Sequence, residues 1–319
     1  NNKKGLLMSI LYVFPGQGSQ VIGMGKLFAE SFKVSKDVFD EVDEALSEKL
    51  SKLIWEGSQD ELTMTKNAQP ALMTVSIAIL RAIEFERGLD LSKIKYVAGH
   101  SLGEYSALAA TEVFSLSDTA KLLRLRGESM QRSTAIGEGA MAALLGTTFN
   151  QAENLVNKVN SLSKGLVCSI ANDNAPGQIV ISGHRVAIEL AAENAKEFGA
   201  KKAVLLPVSA PFHCSLMNNA ANEMKDALSV IDMRPPKVPI ITNVTAKEEV
   251  DIEVIRSLLV DQVTSMVRWS ESITYADDNG ITDAFEIGSG KVLSGLIKRI
   301  SVNINSRSIN EPRDIDNIS

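Results

Sequence analysis

The sequence predicts an α/β protein with a largely parallel sheet and a smaller α+β unit set into it. Three observations carry that expectation. Short apolar runs alternate with helix-periodic stretches along most of the chain, as strand-helix units of a parallel sheet require. A glycine-rich turn, Pro15-Gly16-Gln17-Gly18-Ser19-Gln20, directly follows the first apolar run. From about residue 137 to 206 the order becomes β-α-β-β-α-β, the ferredoxin-like arrangement.

Element by element, Ile10 to Phe14 reads as the first strand, and helical periodicity runs from about Lys26 to Glu48. Pro70 opens a long apolar helix, Ala71 to Glu86. Ile94 to Ala98 reads as a buried strand, Glu104 to Ala110 as a helix, and Asp118 to about Ser133 as another. The smaller unit comprises strand Met141 to Leu145, helix Gln151 to Val159, strands Val167 to Ala171 and Gln178 to Ser182, helix Arg185 to Phe198 and strand Lys201 to Leu206. A helix follows His213. Strand Val238 to Thr242, helices Ile252 to Val263 and Ser270 to Asn279, strand Asp283 to Ile287 and helix Val292 to Ile300 then complete the larger unit. The expected division is a discontinuous large domain, 8–136 and 207–312, around a small subdomain, 137–206. Residues 1–7 lack the length and apolar core of a signal peptide, and Met8 reads as a natural start, so they are set aside from fold reasoning.

Composition narrows the function classes. The 319 residues are 45% hydrophobic and 23% charged, enough for a sizeable core, with no apolar run near the roughly 18 residues a membrane helix needs. A membrane partner is not expected. The net charge of −6, with only short basic pairs such as Lys201-Lys202 and Lys298-Arg299, argues against nucleic acid. A local basic rim would still steer an acidic protein partner. Cys168 and Cys214, the only cysteines, are too few for a disulfide framework and lack metal-ligand spacing, which suits a reducing compartment.

The chemistry centres on Gly99-His100-Ser101-Leu102-Gly103, between the strand at 94–98 and the helix at 104–110. That context favours a nucleophile elbow, with Ser101 on a tight turn whose flanking positions admit only glycine, beside the free amides of a helix N-terminus; the rival reading is a chance Gly-x-Ser-x-Gly in an ordinary loop. A serine hydroxyl needs a base, and three histidines are available. His100 must project away from Ser101, and His184 stands at a turn into a helix of the small unit. His213, in the irregular Val208-Ser209-Ala210-Pro211-Phe212-His213-Cys214 between the two units, suits a base delivered to a cleft; the rival reading is a loop histidine without a role. No Asp or Glu occupies a motif-like loop near His213, so a dyad oriented by a main-chain carbonyl would meet the same need. Oxyanion donors are expected from the amide of Leu102 and from Gly16-Gln17-Gly18. The rival for that loop, a phosphate cradle, lacks the Lys-Ser/Thr of a P-loop.

Phe14-Pro15-Gly16-Gln17-Gly18-Ser19-Gln20, Gln69-Pro70-Ala71, Gly99-His100-Ser101-Leu102-Gly103-Glu104, Arg126-Gly127, Asn172 to Gly183, Pro211-Phe212-His213, Asn243-Val244-Thr245 and Gln262 through Trp269 resemble, in order, the signature blocks of the malonyl-CoA:acyl carrier protein transacylases. The resemblance covers residues 8–312. It implies an α/β-hydrolase-like large domain with a ferredoxin-like insert, the division already reached from the pattern of elements.

The resemblance further implies that Ser101 becomes malonylated, that His213 is general base and then acid, and that the amides of Gln17 and Leu102 form the oxyanion hole. Arg126 would hold the free malonyl carboxylate; alone it would read as a surface arginine. Gln262 would orient His213 through its main-chain carbonyl, with Met130, Asn172 and Phe212 lining the pocket. Phe212 narrows the space for a branched methyl, favouring malonyl over methylmalonyl. Three departures from the family pattern stand out: Cys214 for a frequent Ser, Met266 for a common Pro, and Ser289 for the Pro of a Gly-Pro-Gly. Met266 bears on the backbone that sets the Gln262 carbonyl. The implied reaction is ping-pong, passing malonyl from malonyl-CoA to the phosphopantetheine thiol of acyl carrier protein for fatty-acid synthesis. It needs no cofactor and no metal. A cytoplasmic monomer is expected, with the carrier docked transiently through Lys298 and Arg299. The alternatives are a serine thioesterase or esterase with the same dyad, and an inactive carrier-binding scaffold.

Overall fold

The computed structural model describes residues 8–88, 91–208 and 210–318. Residues 1–7, set aside above, lie outside the described residues. Among the described residues ten strands form two sheets: β1 Ile10–Phe14, β2 Ile94–Gly99, β3 Gly139–Leu145, β4 Cys168–Ala175, β5 Gln178–His184, β6 Lys202–Leu205, β7 Ile240–Ile241, β8 Glu248–Glu249, β9 Asp283–Ile287 and β10 Asn305–Ile309.

The larger sheet has the order β10-β9-β1-β2-β7-β8, parallel throughout except for β8, which pairs antiparallel with β7. Its central strand β1 is an uninterrupted apolar run because helices cover both faces. Tyr12 and Phe14 pack toward helices Thr65–Arg87 and Gly103–Ala110, while Leu11 and Val13 pack toward Trp269, Ile273, Leu293 and Ile297. Helix Thr65–Arg87 is long and apolar enough to cross a membrane, but 83% of its most apolar stretch is buried inside the fold.

The second sheet, β4-β5-β3-β6, is antiparallel throughout and carries helices Phe149–Leu162 and Arg185–Asn194 over its own core of Leu144, Leu155, Ile181 and Ile188. Asn172 of β4 bridges to Val267: Asp173 N–H donates to the Val267 carbonyl at 3.0 Å, and Val267 N–H donates to Ala171 at 2.8 Å. The small sheet is thereby tied to the segment just after Gln262.

Several elements differ from expectation for identifiable reasons. The long apolar helix starts at Thr65, with Pro70 inside it. Pro70 has no N–H for the Lys66 carbonyl, and that carbonyl accepts from Arg124 Nη1 instead, which satisfies the acceptor that the proline leaves open. The stretch from Lys26 is two helices, Lys26–Ser31 and Lys33–Leu46, because Phe32 turns extended and sets its ring against Phe28 and Phe85. Helix 185 ends at Asn194, strand 238 shrinks to Ile240–Ile241, and helices Leu50–Glu56 and Gln59–Thr63 and strands β8 and β10 were not expected.

Candidate active site

Four of the loops around the site leave the larger sheet at the carboxyl ends of its parallel strands, where sites in such sheets lie, and the His213 segment follows β6 of the second sheet. From β1 comes the glycine loop with Gln17, from β2 the turn with Ser101, from β7 Asn243, and from β9 the Gly288-Ser289-Gly290 turn. Phe14 pairs with Gly99, so the first two loops emerge side by side.

Ser101 has φ of 55°, the left-handed conformation that a non-glycine residue adopts only under constraint. The glycines around it are sterically required. A Cβ on Gly99 would sit 1.8 Å from the Gly103 carbonyl oxygen, and one on Gly103 would sit 2.2 Å from that of Phe14. The strain is held by Asn243, whose Oδ1 accepts the Ser101 N–H at 2.9 Å while its Nδ2 donates to the Gly99 carbonyl at 2.7 Å.

His213 also has a positive φ, 57°, and its Nε2 lies 2.8 Å from Ser101 Oγ. Its Nδ1 lies 2.9 Å from the carbonyl oxygen of Gln262. Gln262 closes helix Ile252–Gln262, and carbonyls of a last helical turn have no partner within the helix. A carbonyl only accepts, so Nδ1 carries the proton and Nε2 turns its lone pair to the serine hydroxyl. Burial, and after it the Arg126 charge, push the His213 pKa down to about 3, so the resting ring is a neutral base. Met266 leaves this contact intact.

Arg126, on helix Leu116–Arg132, is 1% exposed. Its Nη1 donates to Gln69 Oε1 at 2.7 Å, and its Nη2 to Gln262 Oε1 at 2.9 Å and to Ser101 Oγ at 3.3 Å. Its Nε finds no partner and it makes no salt bridge among the described residues. Gly127 allows this placement: a Cβ there would meet Lys66 Cα and the Thr65 oxygen at 2.7 Å, so the helix could not approach Thr65–Arg87. A buried cation with spare N–H groups beside a serine hydroxyl suits an incoming carboxylate.

The backbone N–H groups of Gln17 and Leu102 have no partner among the described residues, which leaves both free for an oxyanion. The glycine loop is fixed from three sides. Gly16 packs on the His100 carbonyl, Gln17 Nε2 donates to Thr65 Oγ1 at 3.1 Å, and Ser289 Oγ donates to the Ser19 carbonyl at 2.8 Å. The last contact uses the hydroxyl that a proline at position 289 would lack. A cleft of about 440 Å³ lies alongside, lined by Gly18, Ser19, Met24, Phe28, Ser289 and Val292 among others, but not by Ser101 or His213.

The remaining expected residues divide. Met130 is buried, and its sulfur accepts from Gln69 Nε2 at 3.6 Å, one contact behind the Arg126 guanidinium. Phe212 is buried beside His213. Asn172 is buried at the bridge to Val267, but its side chain makes no hydrogen bond to Ser101, His213 or Arg126. His100 points away, to Asn174 Oδ1 at 2.7 Å and the Trp269 ring, and His184 Nδ1 accepts from Val167 N–H at 2.8 Å. Cys168 and Cys214 are buried free thiols. Lys298 is exposed; Arg299 is committed, with Nη1 on Gln178 Oε1 at 2.7 Å and Nη2 on the Pro176 carbonyl at 2.6 Å, so it clamps the β4–β5 turn. Among the described residues no group of His, Cys, Asp and Glu could hold a metal ion.

Roles for the Gln69, Asn243 and Glu104 side chains were missed in the sequence. Each belonged to a quoted block. The one local signal was Glu104, a charged residue in an otherwise apolar helix.

Comparison with known proteins adds four findings. Residues 11–293 match the acyl transferase domain. The chain is 46% identical over 310 residues to the malonyl CoA-acyl carrier protein transacylase of Bacillus subtilis strain 168, covering 97% of this chain and 96% of that one. It superposes on the acyl-carrier-protein-S-malonyltransferase structure from Bartonella henselae with a TM-score of 0.94 at 54% identity, over 97% of this chain and 98% of that one. It also superposes on a malonyl-transacylase solved with its holo type II PKS acyl-carrier protein, with a TM-score of 0.92 at 37% identity, over 97% and 98% of the two chains.

Proposed function

Because the chain belongs to the acyl transferase family, among the malonyl CoA-acyl carrier protein transacylases, we propose that it moves malonyl from malonyl-CoA to the carrier thiol through an ester on Ser101. Ser101 Oγ attacks the thioester carbonyl as His213 Nε2 takes its proton. The amides of Gln17 and Leu102 receive the oxyanion. Collapse breaks the C–S bond, and the CoA sulfur leaves with the proton from His213. The phosphopantetheine thiol of the carrier then gives its proton to the same nitrogen and attacks the ester carbonyl. Ser101 recovers its proton from His213 as the thioester forms.

The observation that carries the malonyl reading is the buried Arg126 guanidinium, 3.3 Å from Ser101 Oγ and without a salt bridge among the described residues. A malonyl carboxylate supplies an anion in direct contact, and an acetyl group does not. Its arrival also neutralises the charge that helps hold the His213 pKa down, so the imidazole becomes a stronger base once the right substrate is bound.

The larger sheet with its helices, 8–136 and 207–312, forms in this reading an α/β-hydrolase-like domain. Residues 137–206, with strand order β4-β5-β3-β6, form a ferredoxin-like subdomain. The base stands where the chain returns from the second to the first. The carrier approaches over Lys298, with Arg299 bracing the β4–β5 turn beside it. The enzyme works as a cytoplasmic monomer in fatty-acid synthesis and uses no bound cofactor.

The test is incubation with malonyl-CoA or acetyl-CoA, followed by addition of holo carrier protein. Transfer of malonyl in strong preference to acetyl, lost in Ser101→Ala, supports the reading. Hydrolysis without transfer would identify a thioesterase, and thioester binding without chemistry a scaffold.

A further inference from the structure

The Glu104 carboxyl is buried one contact behind the site, 2% exposed on the first turn of helix Gly103–Ala110. Both its oxygens accept. Oε2 takes a hydrogen bond from Gln262 Nε2 at 2.6 Å, and Oε1 one from the Asn243 N–H at 3.3 Å. Gln262 Nε2 faces two further oxygens, the Ser101 carbonyl at 2.9 Å and Asn243 Oδ1 at 3.2 Å. An amide nitrogen surrounded by three acceptors fixes which way the group points, so its oxygen turns to Arg126 Nη2 at 2.9 Å. Gln262 therefore joins Arg126 to Glu104 through its side chain and serves His213 through its main chain.

We propose that Glu104 is a positioning residue for acyl selection: it holds the Gln262 amide oxygen toward Arg126 and so keeps the guanidinium aimed at the substrate carboxylate. Glu104 does not touch substrate. The inference rests on the assignment of Arg126 as the malonyl clamp. The electrostatics agree with it: burial pushes the Glu104 pKa up to about 7, and the two hydrogen bonds and the Arg126 charge pull the other way, toward the ionised form that accepts at both oxygens.

Glu104→Gln tests this because the new NH2 must face either Gln262 Nε2 or the Asn243 N–H, both donors. Because the Ser101 carbonyl and Asn243 Oδ1 still hold the Gln262 NH2, the amide cannot flip; it is pushed off the new NH2 instead, and its oxygen shifts away from the guanidinium. The experiment measures Ser101 acylation by malonyl-CoA and by acetyl-CoA at pH 8, with thermal denaturation in parallel. The expected result is a loss of about tenfold or more in kcat/KM for malonyl-CoA, chiefly in KM, as one misdirected charge-assisted bond implies. Acetyl-CoA should change by less than about threefold. Equal losses with the two thioesters, or no loss with either, overturn the proposal. Glu104→Asp keeps both acceptors but withdraws them by one methylene, and it carries the test if the Gln variant does not fold. The same split, smaller, is expected, and a uniform loss refutes the role. A wild-type protein that accepts malonyl and acetyl alike overturns the Arg126 assignment and this inference together, whereas a selective wild type with an indifferent Glu104→Gln overturns this inference alone.

Discussion

Replacing Arg126 with alanine removes the only cation within hydrogen-bond distance of Ser101 Oγ among the described residues. The guanidinium spends one Nη1 and one Nη2 hydrogen on Gln69 and Gln262, and its Nε has no partner, so donor capacity remains for a carboxylate. A charge-assisted hydrogen bond contributes about 1.5–3 kcal/mol. One such bond to the malonyl carboxylate corresponds to a loss of roughly 10- to 150-fold in kcat/KM, and two to roughly 10²- to 10⁴-fold. Acetyl-CoA has no carboxylate to lose, so its rate should hold. The substitution also strands the buried acceptors Gln69 Oε1 and Gln262 Oε1, at about 1–3 kcal/mol each, so the melting temperature should drop and must be measured alongside. The assay is acylation of Ser101 by each thioester at matched folded fraction. A proportional fall with malonyl-CoA and acetyl-CoA, or malonyl transfer that survives, refutes the clamp. Arg126→Lys should not rescue, because an ammonium cannot reach Gln69, Gln262 and a carboxylate with the geometry of the planar fork.

Further predictions follow from the same geometry. The His213 pKa, lowered to about 3, predicts that acetyl-CoA acylation shows no acid limb near pH 6.5 in a kcat/KM profile from pH 8 to 5, and a limb there contradicts the buried neutral base. Malonyl-CoA acylation should instead weaken as pH falls through about 7, where Glu104 takes up a proton; the charged and titratable groups facing Glu104 are Arg126 and Tyr105, and neither titrates in that range. Glu286 accepts the N–H groups of Leu293 and Ser294 at 3.2 and 2.9 Å, and burial pushes its pKa up to about 7. The folded chain keeps a proton there that the unfolded chain has already released, so Glu286 contributes stability below its ordinary value that is lost as pH rises to about 7. That loss amounts to about 3 kcal/mol, so the stability of Glu286→Gln relative to wild type should rise between pH 4.5 and 7, read from urea unfolding; a constant difference refutes it. Gly103→Ala drives a Cβ to 2.2 Å from the Phe14 oxygen and should cost about 3 kcal/mol with loss of acylation, measured by denaturation and mass labelling.

The parts of the site legible in the sequence are those whose chemistry is written in consecutive residues. Gly99 to Gly103 announces a turn that no other residues tolerate, and the glycines of 16–18 announce a loop able to expose amides. The scarcity of histidine reduced the search for a base to His213. The absence of an acid near it pointed to a carbonyl, which Gln262 supplies from the end of a helix. The side chains that hold these groups were less legible because their partners lie far along the chain. Asn243 reaches Ser101 across 142 positions and Gln262 reaches Glu104 across 158, and an amide's role is decided by which oxygens the fold places around it. Pro70 misled for a related reason: the arginine that takes up the freed Lys66 carbonyl belongs to a different helix. Arg299 reads as a free surface charge in the sequence, but the fold spends it on the neighbouring turn.

The central claim is that Ser101 carries malonyl covalently between two thiols. Rapid mixing with malonyl-CoA in the absence of carrier protein tests it most directly, with released CoA thiol and the intact mass of the chain followed together. The expected result is a burst of one CoA per active chain and a single malonyl adduct on the peptide containing Ser101, discharged on addition of holo carrier protein. Steady CoA release with no adduct, or an adduct on another residue, would contradict it.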